Sequence, residues 1–428
     1  MSEVAMLSET LLMNRLAKEE HVPDLLVQTQ PQHPPRPEET SRRPHPQADL
    51  QIAVFRGRQG LEQIRQDWQA ITDRMVEHRH YFHLWEWHHS YLETIASEPD
   101  AAVYHVAYLA SVPMAVLPLR SSTMRQGGCR LRILESPYHK HMPLCDIICD
   151  PDPEHSDILE RMVHHLRYSL RNTWDAILLR GLLAESSAAC RWWAALPGPR
   201  IQIARGRCDS LHYANHGEML ANISRKFRNN LRYARNRLAK LPEARFEIVR
   251  DPALLPAAFA HFIRVEASGW KGESGTVSAI GLHPQLCAFY EKLASCFGAT
   301  GKCQINLLML GDECIAGQFW LRLDGTLYML KTGYAQHQAH ISPGHMLLEE
   351  CIRQSSSETN PIHCWNLNNR VKWLDPWKPS YEAVCDLWIF NRTPHGLAMY
   401  GWASVIRVLR SIYRNLKSCR PCQVPSGS

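Results

Sequence analysis

The stretch HISPGHMLLEECI, residues 340–352, determines how the second half of this sequence is interpreted. Ser342 is a suitable helix N-cap, and Pro343 suits the first helical position. Gly344 costs stability inside a first turn unless something must approach the backbone closely. Apolar residues recur at helical spacing and predict one buried face: Met346, Leu347 and Cys351. The stretch therefore predicts a helix whose N-terminus is either simply capped or a phosphate cradle.

The length and composition predict two globular domains. A chain of 428 residues exceeds the roughly 250 residues that a single core usually serves. Hydrophobic residues make up 45% and charged residues 21%, as in ordinary soluble proteins. The net charge of +6 is mild, so it favours anionic ligands without requiring nucleic acid.

The cysteines and the beginning of the sequence favour a cytoplasmic location. The 14 cysteines have no framework spacing, which argues against a secreted disulfide scaffold. Residues 1–26 carry acidic residues before any apolar stretch, which is not typical of a signal peptide. No run approaches the ~20 apolar residues of a membrane span. We therefore expect a cytoplasmic protein.

The order of predicted elements repeats along the chain. Residues 1–49 include a proline-rich stretch and predict a disordered segment. Residues 50–207 predict a strand, two helices, three strands, a helix and a strand, and residues 208–392 repeat that order after a long basic helix. We predict an α/β (α+β) fold with two similar halves, each a mixed sheet flanked by helices. In such a layout the helix N-terminus at Ser342 faces the end of the sheet, which favours the cradle.

The last segment, residues 393–428, predicts a basic amphipathic helix and tail. Such a helix either rests on an anionic membrane surface or docks on its own domain, and peripheral membrane contact is the less favoured alternative.

Three stretches give the sequence a family resemblance. EASGWKGESGTVSA (266–279), the run 289–319 and LYMLKTGYAQHQAHISPGHMLLEECI (327–352) resemble GNAT acetyltransferases of the CelD/BcsL type. SRKFRNNLRYARNRL (224–238) is similar to the basic helix that precedes the second half in that family. The resemblance implies two tandem GNAT-like halves and a link to cellulose or exopolysaccharide biosynthesis.

The resemblance also implies a coenzyme site. The pyrophosphate of acetyl-CoA, or of another acyl-CoA co-substrate, would accept hydrogen bonds from the backbone N–H groups of Ser342, Gly344, His345 and Met346. Gln336 to Gly344 stand where the superfamily has Arg/Gln-x-x-Gly-x-Gly/Ala. Pro343 is unusual for the superfamily but typical of this branch.

The candidate catalytic groups lie at the ends of predicted elements. Acyl transfer needs a proton acceptor, and Glu266, at a helix end beside the SGWKG loop, is the first candidate. The alternative is a surface carboxylate. Tyr334 could protonate the departing thiolate, or it could simply fill the end of a strand. No cysteine lies in a nucleophile motif, so we expect direct transfer through a tetrahedral intermediate.

Four further residues are candidate substrate ligands: Trp270, Lys271, Lys331 and Lys372. Trp270 could equally pack in the core. Asn366 stands where the related proteins more often carry Asp. If that carboxylate is catalytic, Asn366 weakens the prediction of an enzyme.

Two other features are open to interpretation. The helix over 222–240 carries seven basic and no acidic residues, which indicates either an anion-binding face or a solvated one. Five histidines in HRHYFHLWEWHHS (78–90) lack the i, i+4 spacing and carboxylates of a zinc site, so we predict no metal.

These observations predict a GNAT-type acyltransferase that moves an acyl group from acetyl-CoA to an amine or hydroxyl acceptor. The acceptor is a small molecule or saccharide, with polysaccharide biosynthesis machinery as a possible partner and no DNA. One alternative is a Fem-type transferase, which draws its acyl group from aminoacyl-tRNA. Another is a non-catalytic accessory protein of a polysaccharide synthase.

Overall fold

The computed structural model describes residues 50–418 except for 76–78, 127–128, 150–156, 194–195, 197 and 270. The predicted disordered segment 1–49, the tail after 418 and Trp270 therefore lie outside the described residues.

The described residues form helices and strands in the predicted alternation. The helices are α1 Gly57–Gln63, α2 Arg65–Arg74, α3 Trp85–Thr94, α4 Ile158–Ser169, α5 Ala188–Arg191, α6 His216–Asn222, α7 Arg225–Leu238, α8 Leu255–Ala267, α9 Pro284–Gly298, α10 Pro343–Ser355 and α11 Pro394–Ser418. The strands are β1 Leu50–Arg56, β2 Ala102–Leu109, β3 Val112–Gln126, β4 Cys129–Glu135, β5 Ile148–Cys149, β6 Ala176–Leu183, β7 Arg200–His212, β8 Ala244–Val249, β9 Cys303–Leu310, β10 Glu313–Leu323, β11 Thr326–Tyr334, β12 Cys364–Asn366 and β13 Ser380–Phe390.

The strands form one continuous mixed sheet, and its two ends have the same plan. The order is β1-β2-β3-β4-β6-β13-β7-β12-β11-β10-β9-β8, with β5 paired to β3. Strands β1 to β4 are antiparallel and β4 is parallel to β6. Strands β8 to β11 are likewise antiparallel and β11 is parallel to β12. The chain therefore contains two α/β halves related by one strand order.

The two halves exchange their last strands. β13 pairs with β6 of the first half, whereas β7 pairs with β12 of the second. β7 and β13 pair with each other, antiparallel, at the centre of the sheet. The sequence did not predict β7, because its arginines interrupt the apolar pattern. The predicted division between residues 207 and 208 falls inside β7, and the division into domains stays a prediction.

In each half the two parallel strands pair over three residues. β11 and β12 pair over Thr326–Tyr328, and β11 then continues to Tyr334 paired with β10 alone. β4 and β6 likewise pair over three residues, Ile133–Glu135, where β4 ends while β6 continues to Leu183. The gap that opens beyond Tyr328 locates the candidate site described below.

Apolar packing joins the halves beneath the sheet. One core cluster contains side chains of α3 in the first half and of α8 and α9 in the second. The rings of Trp87 and Phe289 meet edge to face with centroids 5.4 Å apart. A second cluster holds α7 and α10 against the sheet around Trp320 and Trp365. Both faces of the second half are therefore covered, which leaves the strand gap as its opening.

The helix α11 packs on the sheet of its own chain. Met399, Tyr400 and Ala403 lie against the apolar cluster of β4, β6 and β13. Trp402 and Val405 are 55% and 52% exposed. The structure thus contains the helix docked on its own chain that the sequence favoured. Contact of this helix with a membrane surface stays a prediction. No helix within the described ranges combines the length and apolarity that crossing a membrane requires.

Candidate active site

A cavity of about 640 Å³ lies where β11 and β12 separate. The second half supplies most of its wall, from β11, the first turn of α10 and residues 367–373. The first half contributes Tyr81, Lys140, His141 and Pro143. The structure brings seven of the predicted site residues together there: Glu266, Lys271, Lys331, Tyr334, Ser342, Gly344 and His345.

The N-terminus of α10 forms one end of this cavity. The helix begins at Pro343, as predicted, with Ser342 at the N-cap. Ser342 adopts the left-handed conformation (φ 53°, ψ 52°), and its side chain makes no capping hydrogen bond, contrary to our expectation. A Cβ added at Gly344 would meet no atom within 4 Å. Gly344 therefore leaves open space beside the helix N-terminus.

Most of the expected pyrophosphate donors are engaged elsewhere. The N–H groups of His345 and Met346 donate to the carbonyl of Ser342, over 3.0 and 3.1 Å, and the Ser342 N–H donates to Ala339. Ser342 is the N-cap residue, and the carbonyl of an N-cap residue accepts the first hydrogen bonds of its helix. The expectation that all four backbone N–H groups are free for pyrophosphate is thus corrected. Of the four, only the Gly344 N–H has no hydrogen-bond acceptor among the described residues.

The side chains of His345 and Met346 serve packing. Met346 is 2% exposed and belongs to the core beneath α10. His345 accepts a hydrogen bond from the Trp377 indole (3.0 Å) and contacts the rings of Phe227 and Trp373. Burial lowers the pKa of His345 to about 4, so its imidazole is neutral at pH 7 and supplies no positive charge.

Glu266 lies in the last turn of α8 and is almost completely buried. Its two oxygens accept hydrogen bonds from the Lys271 ammonium (3.1 Å) and the Ile280 N–H (2.8 Å). Lys271 also donates to the carbonyl of Thr332 on β11 (2.8 Å). Among the described residues that line the cavity, Glu266 is the only carboxylate. Its charge is therefore balanced by Lys271, and both are anchored to β11.

Two glycines allow this close arrangement. A Cβ at Gly333 would lie 2.5 Å from the Cα of Glu266, so only glycine lets α8 rest directly on β11. A Cβ at Gly272 would lie 2.1 Å from the carbonyl of Ala267, where the loop with Lys271 folds back over the end of α8. The SGWKG and KTGY stretches of the sequence therefore encode this contact.

Lys331 projects from β11 without a hydrogen-bond or ion-pair partner among the described residues. Burial lowers its pKa to about 8, and the charges of Lys271 and Lys140 contribute to the lowering. An ammonium group held near other ammonium groups in a partly closed cavity is unfavourable unless an anion joins it. Lys331 is thus the strongest electrostatic feature of the site.

The first half reaches the cavity through residues 138–143, here called the 138–143 loop. His141 in this loop and Tyr290 on α9 are joined by a hydrogen bond of 3.1 Å. Burial lowers the pKa of His141 to about 3, so the ring in this hydrogen bond is neutral at pH 7. The sequence analysis missed Tyr81, Lys140, His141 and Tyr290. The polar run YHKH after a predicted strand was the available signal.

The same loop fills the strand gap of the first half. Pro143 packs on Gly181 of β6 so closely that a Cβ there would lie 2.0 Å from the Pro143 carbonyl oxygen. Cys145 donates its N–H to the carbonyl of Gly181, and Ser136 donates to that of Leu178. The chain itself occupies the place that corresponds to the cavity of the second half.

Three predicted residues lie away from this arrangement or outside the description. Asn366 lies on β12, where its Oδ1 accepts bonds from the Cys208 thiol (3.2 Å) and the Asn368 N–H (2.8 Å). Those contacts fix the turn after β12. Lys372 is exposed and does not line the cavity, although its neighbour Trp373 does. Trp270 lies outside the described residues.

The basic helix α7 lies beside the N-terminus of α10. Its apolar side packs into the core, as predicted, and includes Phe227 and Leu231. Arg237 donates to the carbonyl of His340 (2.7 Å), and Arg235 pairs with Glu349. Tyr233 is 56% exposed beneath the Arg232 guanidinium, so basic and aromatic groups share the outer face.

Two histidines of the 78–90 stretch, His83 and His88, lie in the core of the first half. His83 and His88 are 2% and 1% exposed, and burial lowers the pKa of His88 to about 3. Within the described ranges, no three or more His, Cys, Asp or Glu side chains are placed to hold a metal ion.

Part of the second half matches a known protein family. Residues 225–360 match the family model described as an acetyltransferase (GNAT) domain. No curated protein sequence matches the chain. Solved structures with a similar fold include FemX (11% identity, 74% of this chain and 95% of that chain, TM-score 0.49). A conserved protein of unknown function from Bacteroides thetaiotaomicron VPI-5482 (12%, 77% and 97%, 0.46) and a tandem GNAT protein from the clavulanic acid biosynthesis pathway (10%, 80% and 98%, 0.42) are also similar.

The family match covers most of the residues that build the cavity wall in the second half, but not those between 367 and 373. It includes α8, β11 and α10. Together with the repeated strand order, it confirms the predicted α/β fold of two tandem GNAT-like halves. The resemblance to the CelD/BcsL type in particular stays a prediction.

Proposed function

We propose that this chain, whose residues 225–360 match the GNAT acetyltransferase domain, is an acyltransferase that moves an acetyl or other acyl group from acyl-CoA to an amine or hydroxyl acceptor. The observation that carries the proposal is the separation of β11 from β12 beyond Tyr328. It leaves a cavity with a helix N-terminus at one end and ionisable side chains along β11.

The residues present fit an acyl-CoA. Gly344 leaves open space where the backbone of α10 meets the cavity, and its N–H is available for an anionic oxygen. The positive end of the α10 dipole favours a phosphate at the same place. The edge of β11 that β12 no longer covers can pair with the amides of an extended ligand. These features support binding of the coenzyme along β11.

Bound acyl-CoA would supply the activated thioester carbonyl. Glu266 is the carboxylate of the cavity wall, and we assign it the role of accepting the proton of the acceptor group. Lys271 holds that carboxylate in place. Tyr334 lines the cavity at the end of β11 and can donate its phenol proton to the departing thiolate. None of the described residues that line the cavity is a cysteine, in line with direct transfer.

Asn366 does not enter this proposal as a catalytic residue. Its amide oxygen serves the turn after β12, which carries Asn368 and Asn369 of the cavity wall. A saccharide acceptor, and a role in cellulose or exopolysaccharide biosynthesis within the cytoplasm, remain proposals that rest on the sequence resemblance alone.

A Fem-type transfer from aminoacyl-tRNA is the second candidate. One observation favours it: the outer face of α7 carries exposed Arg225, Arg228 and Arg232 next to the exposed Tyr233, and RNA is bound by such basic and aromatic groups. A non-catalytic accessory protein is the third candidate. The paired Glu266 and the open Gly344 argue against it, since a merely structural cavity needs neither.

Calorimetric titration of acetyl-CoA into the purified protein tests the proposal. Gly344→Trp should fill the cavity beside α10 and abolish binding. Gly401→Trp is the matched control, since Gly401 on α11 is also exposed and has no atom within 4 Å of its Cβ position. Micromolar binding that is lost in Gly344→Trp and kept in Gly401→Trp supports the acyl-CoA donor. A wild-type protein that binds no acetyl-CoA overturns it, and aminoacyl-tRNA becomes the donor to test.

A further inference from the structure

The cavity has an unequal distribution of charge along its length. At the α10 end lie Gly344, the neutral His345 and the apolar Val371 and Trp373. Another part of the wall comes from β11 and the 138–143 loop of the first half, which carry Lys331 and Lys140. All three lysines of the cavity wall interact electrostatically there, with Lys140 and Lys271 acting on Lys331. The two parts of the wall are therefore suited to different ligands of an acyl transfer, the coenzyme and the acceptor.

The positive charge in this second part of the wall is not balanced within the protein. The single carboxylate, Glu266, has both oxygens engaged, by Lys271 and by the Ile280 N–H. His141 faces Lys331 as a neutral ring and adds no negative charge. Lys140 and Lys331 have no hydrogen-bond or ion-pair partner within the described part of the chain.

The partly buried ammonium group of Lys331 costs free energy in this cavity, and a bound anion removes that cost, whereas Lys140 is exposed to solvent. The coenzyme's phosphates are accounted for at the α10 end, where Gly344 and the α10 dipole lie. The remaining ligand of a transfer reaction is the acceptor.

We propose that the acceptor substrate carries an anionic group, a phosphate or a carboxylate, which binds to Lys331 of the second half and Lys140 of the first. This inference rests on the proposed acyltransferase function and names the class of its acceptor. It also gives the first half a role: its own strand gap is filled, and the segment that fills it supplies Lys140 to the active cavity.

Two matched pairs of small amines test the inference by ligand-detected NMR with the full chain at pH 7. Phosphoethanolamine is compared with ethanolamine, and glycine with glycinamide, each with and without saturating acetyl-CoA. We expect at least one member that carries the phosphate or carboxylate to bind at least tenfold more tightly than its partner that lacks it. The pair that shows the preference distinguishes a phosphate from a carboxylate acceptor.

Variants locate the anion. Lys331→Met and Lys140→Met should each reduce the preference at least fivefold, whereas Lys292→Met should keep it. Lys292 lies on α9, does not line the cavity and controls for the loss of one charge. Circular dichroism of each variant confirms that it is folded.

Two results overturn the inference. In one, neither anionic member is preferred, or the preference survives both cavity variants. In the other, acetyl-CoA displaces the anion, which means that these lysines serve the coenzyme. A protein that shows the preference but binds no acetyl-CoA separates the two proposals: the anion site stands and the acyl-CoA donor fails.

Discussion

The guanidinium of Arg79 and the carboxylate of Asp324 form a two-pronged ion pair across the two halves, with both N–O distances 2.9 Å. Arg79 precedes α3 in the first half, and Asp324 lies in the turn between β10 and β11. The Arg79 side chain is only 15% exposed. The pair therefore ties the β10–β11 hairpin to the first half, with a largely buried guanidinium and a carboxylate that is 32% exposed.

Asp324→Asn should lower the free energy of unfolding by about 1 to 2 kcal/mol, since it leaves a largely buried guanidinium without its main partner. Asparagine tolerates the left-handed backbone of Asp324 (φ 45°), so the change tests the charge alone. Urea denaturation measures the difference. Asp73→Asn is the control, because Asp73 is 59% exposed and 3.7 Å from Arg79, and we expect less than about 0.5 kcal/mol. Equal effects would contradict our view of the Arg79–Asp324 pair.

Lys331→Met should stabilise the protein at pH 7 while weakening ligand binding. The folded protein holds the pKa of Lys331 at about 8, below its ordinary value of 10.5, so removal of the ammonium stabilises the fold by on the order of 2 kcal/mol. Between pH 8 and pH 10.5, Lys331 is protonated in the unfolded chain but largely deprotonated in the folded protein. The advantage of the variant is therefore complete below pH 8 and declines as the pH rises toward 10.5. Thermal unfolding at pH 7 and pH 10 measures it.

The pH dependence of that difference depends on the groups that face Lys331. They are Lys140, His141, Lys271 and Glu266. A variant less stable than the wild type at pH 7 would show that Lys331 has a partner that offsets its burial. Lys292→Met again controls for the loss of one charge.

Gly181→Ala should be severely destabilising, by at least about 3 kcal/mol. Gly181 has a φ of +67°, and a Cβ would lie 2.0 Å from the carbonyl oxygen of Pro143. The 138–143 loop must then move, so Lys140 and His141 leave the cavity and the anion preference is lost. Gly206→Ala on β7, where no atom lies within 4 Å, should change the free energy of unfolding by less than about 1 kcal/mol. Chemical denaturation compares the two, and similar costs would refute this account.

Glu266→Gln should reduce acyl transfer by about 10² to 10⁴-fold, with acetyl-CoA affinity unchanged within about threefold. Glutamine can still accept a hydrogen bond from Lys271 or Ile280, but it cannot take a proton. Release of free coenzyme A thiol with an anionic amine acceptor measures the rate. An unchanged rate would show that Glu266 only positions Lys271.

Local patterns of the sequence were sufficient for the architecture of the second half. Pro343 begins α10, and the buried face of Met346, Leu347 and Cys351 follows from helical spacing alone. The sequence also provided Glu266, Lys271 and Gly344 as candidate site residues, and the structure has all three in the wall of one cavity.

The errors have identifiable physical causes. The N–H groups of His345 and Met346 are not free, because the carbonyl of the N-cap residue Ser342 accepts a hydrogen bond from each. Lys140 and His141 were missed because their place in the cavity depends on a loop crossing between halves. β7 was missed because its arginines give it a low hydrophobicity, which is not typical of a central strand. In the structure the apolar stems of these arginines can cover the sheet, and their charges pair with carboxylates.

The exchange of β7 and β13 determines when the protein can become native during synthesis. β6 ends at Leu183, but its neighbour β13 begins only at Ser380. At 5–20 residues per second, a ribosome needs roughly 10 to 40 s to make the intervening chain. Throughout that interval the first half presents an unpaired, apolar strand edge, which is a template for association with other chains. We therefore expect nascent chains that stop before Ser380 to aggregate or bind chaperones, and the full-length chain to acquire both halves in a single late step.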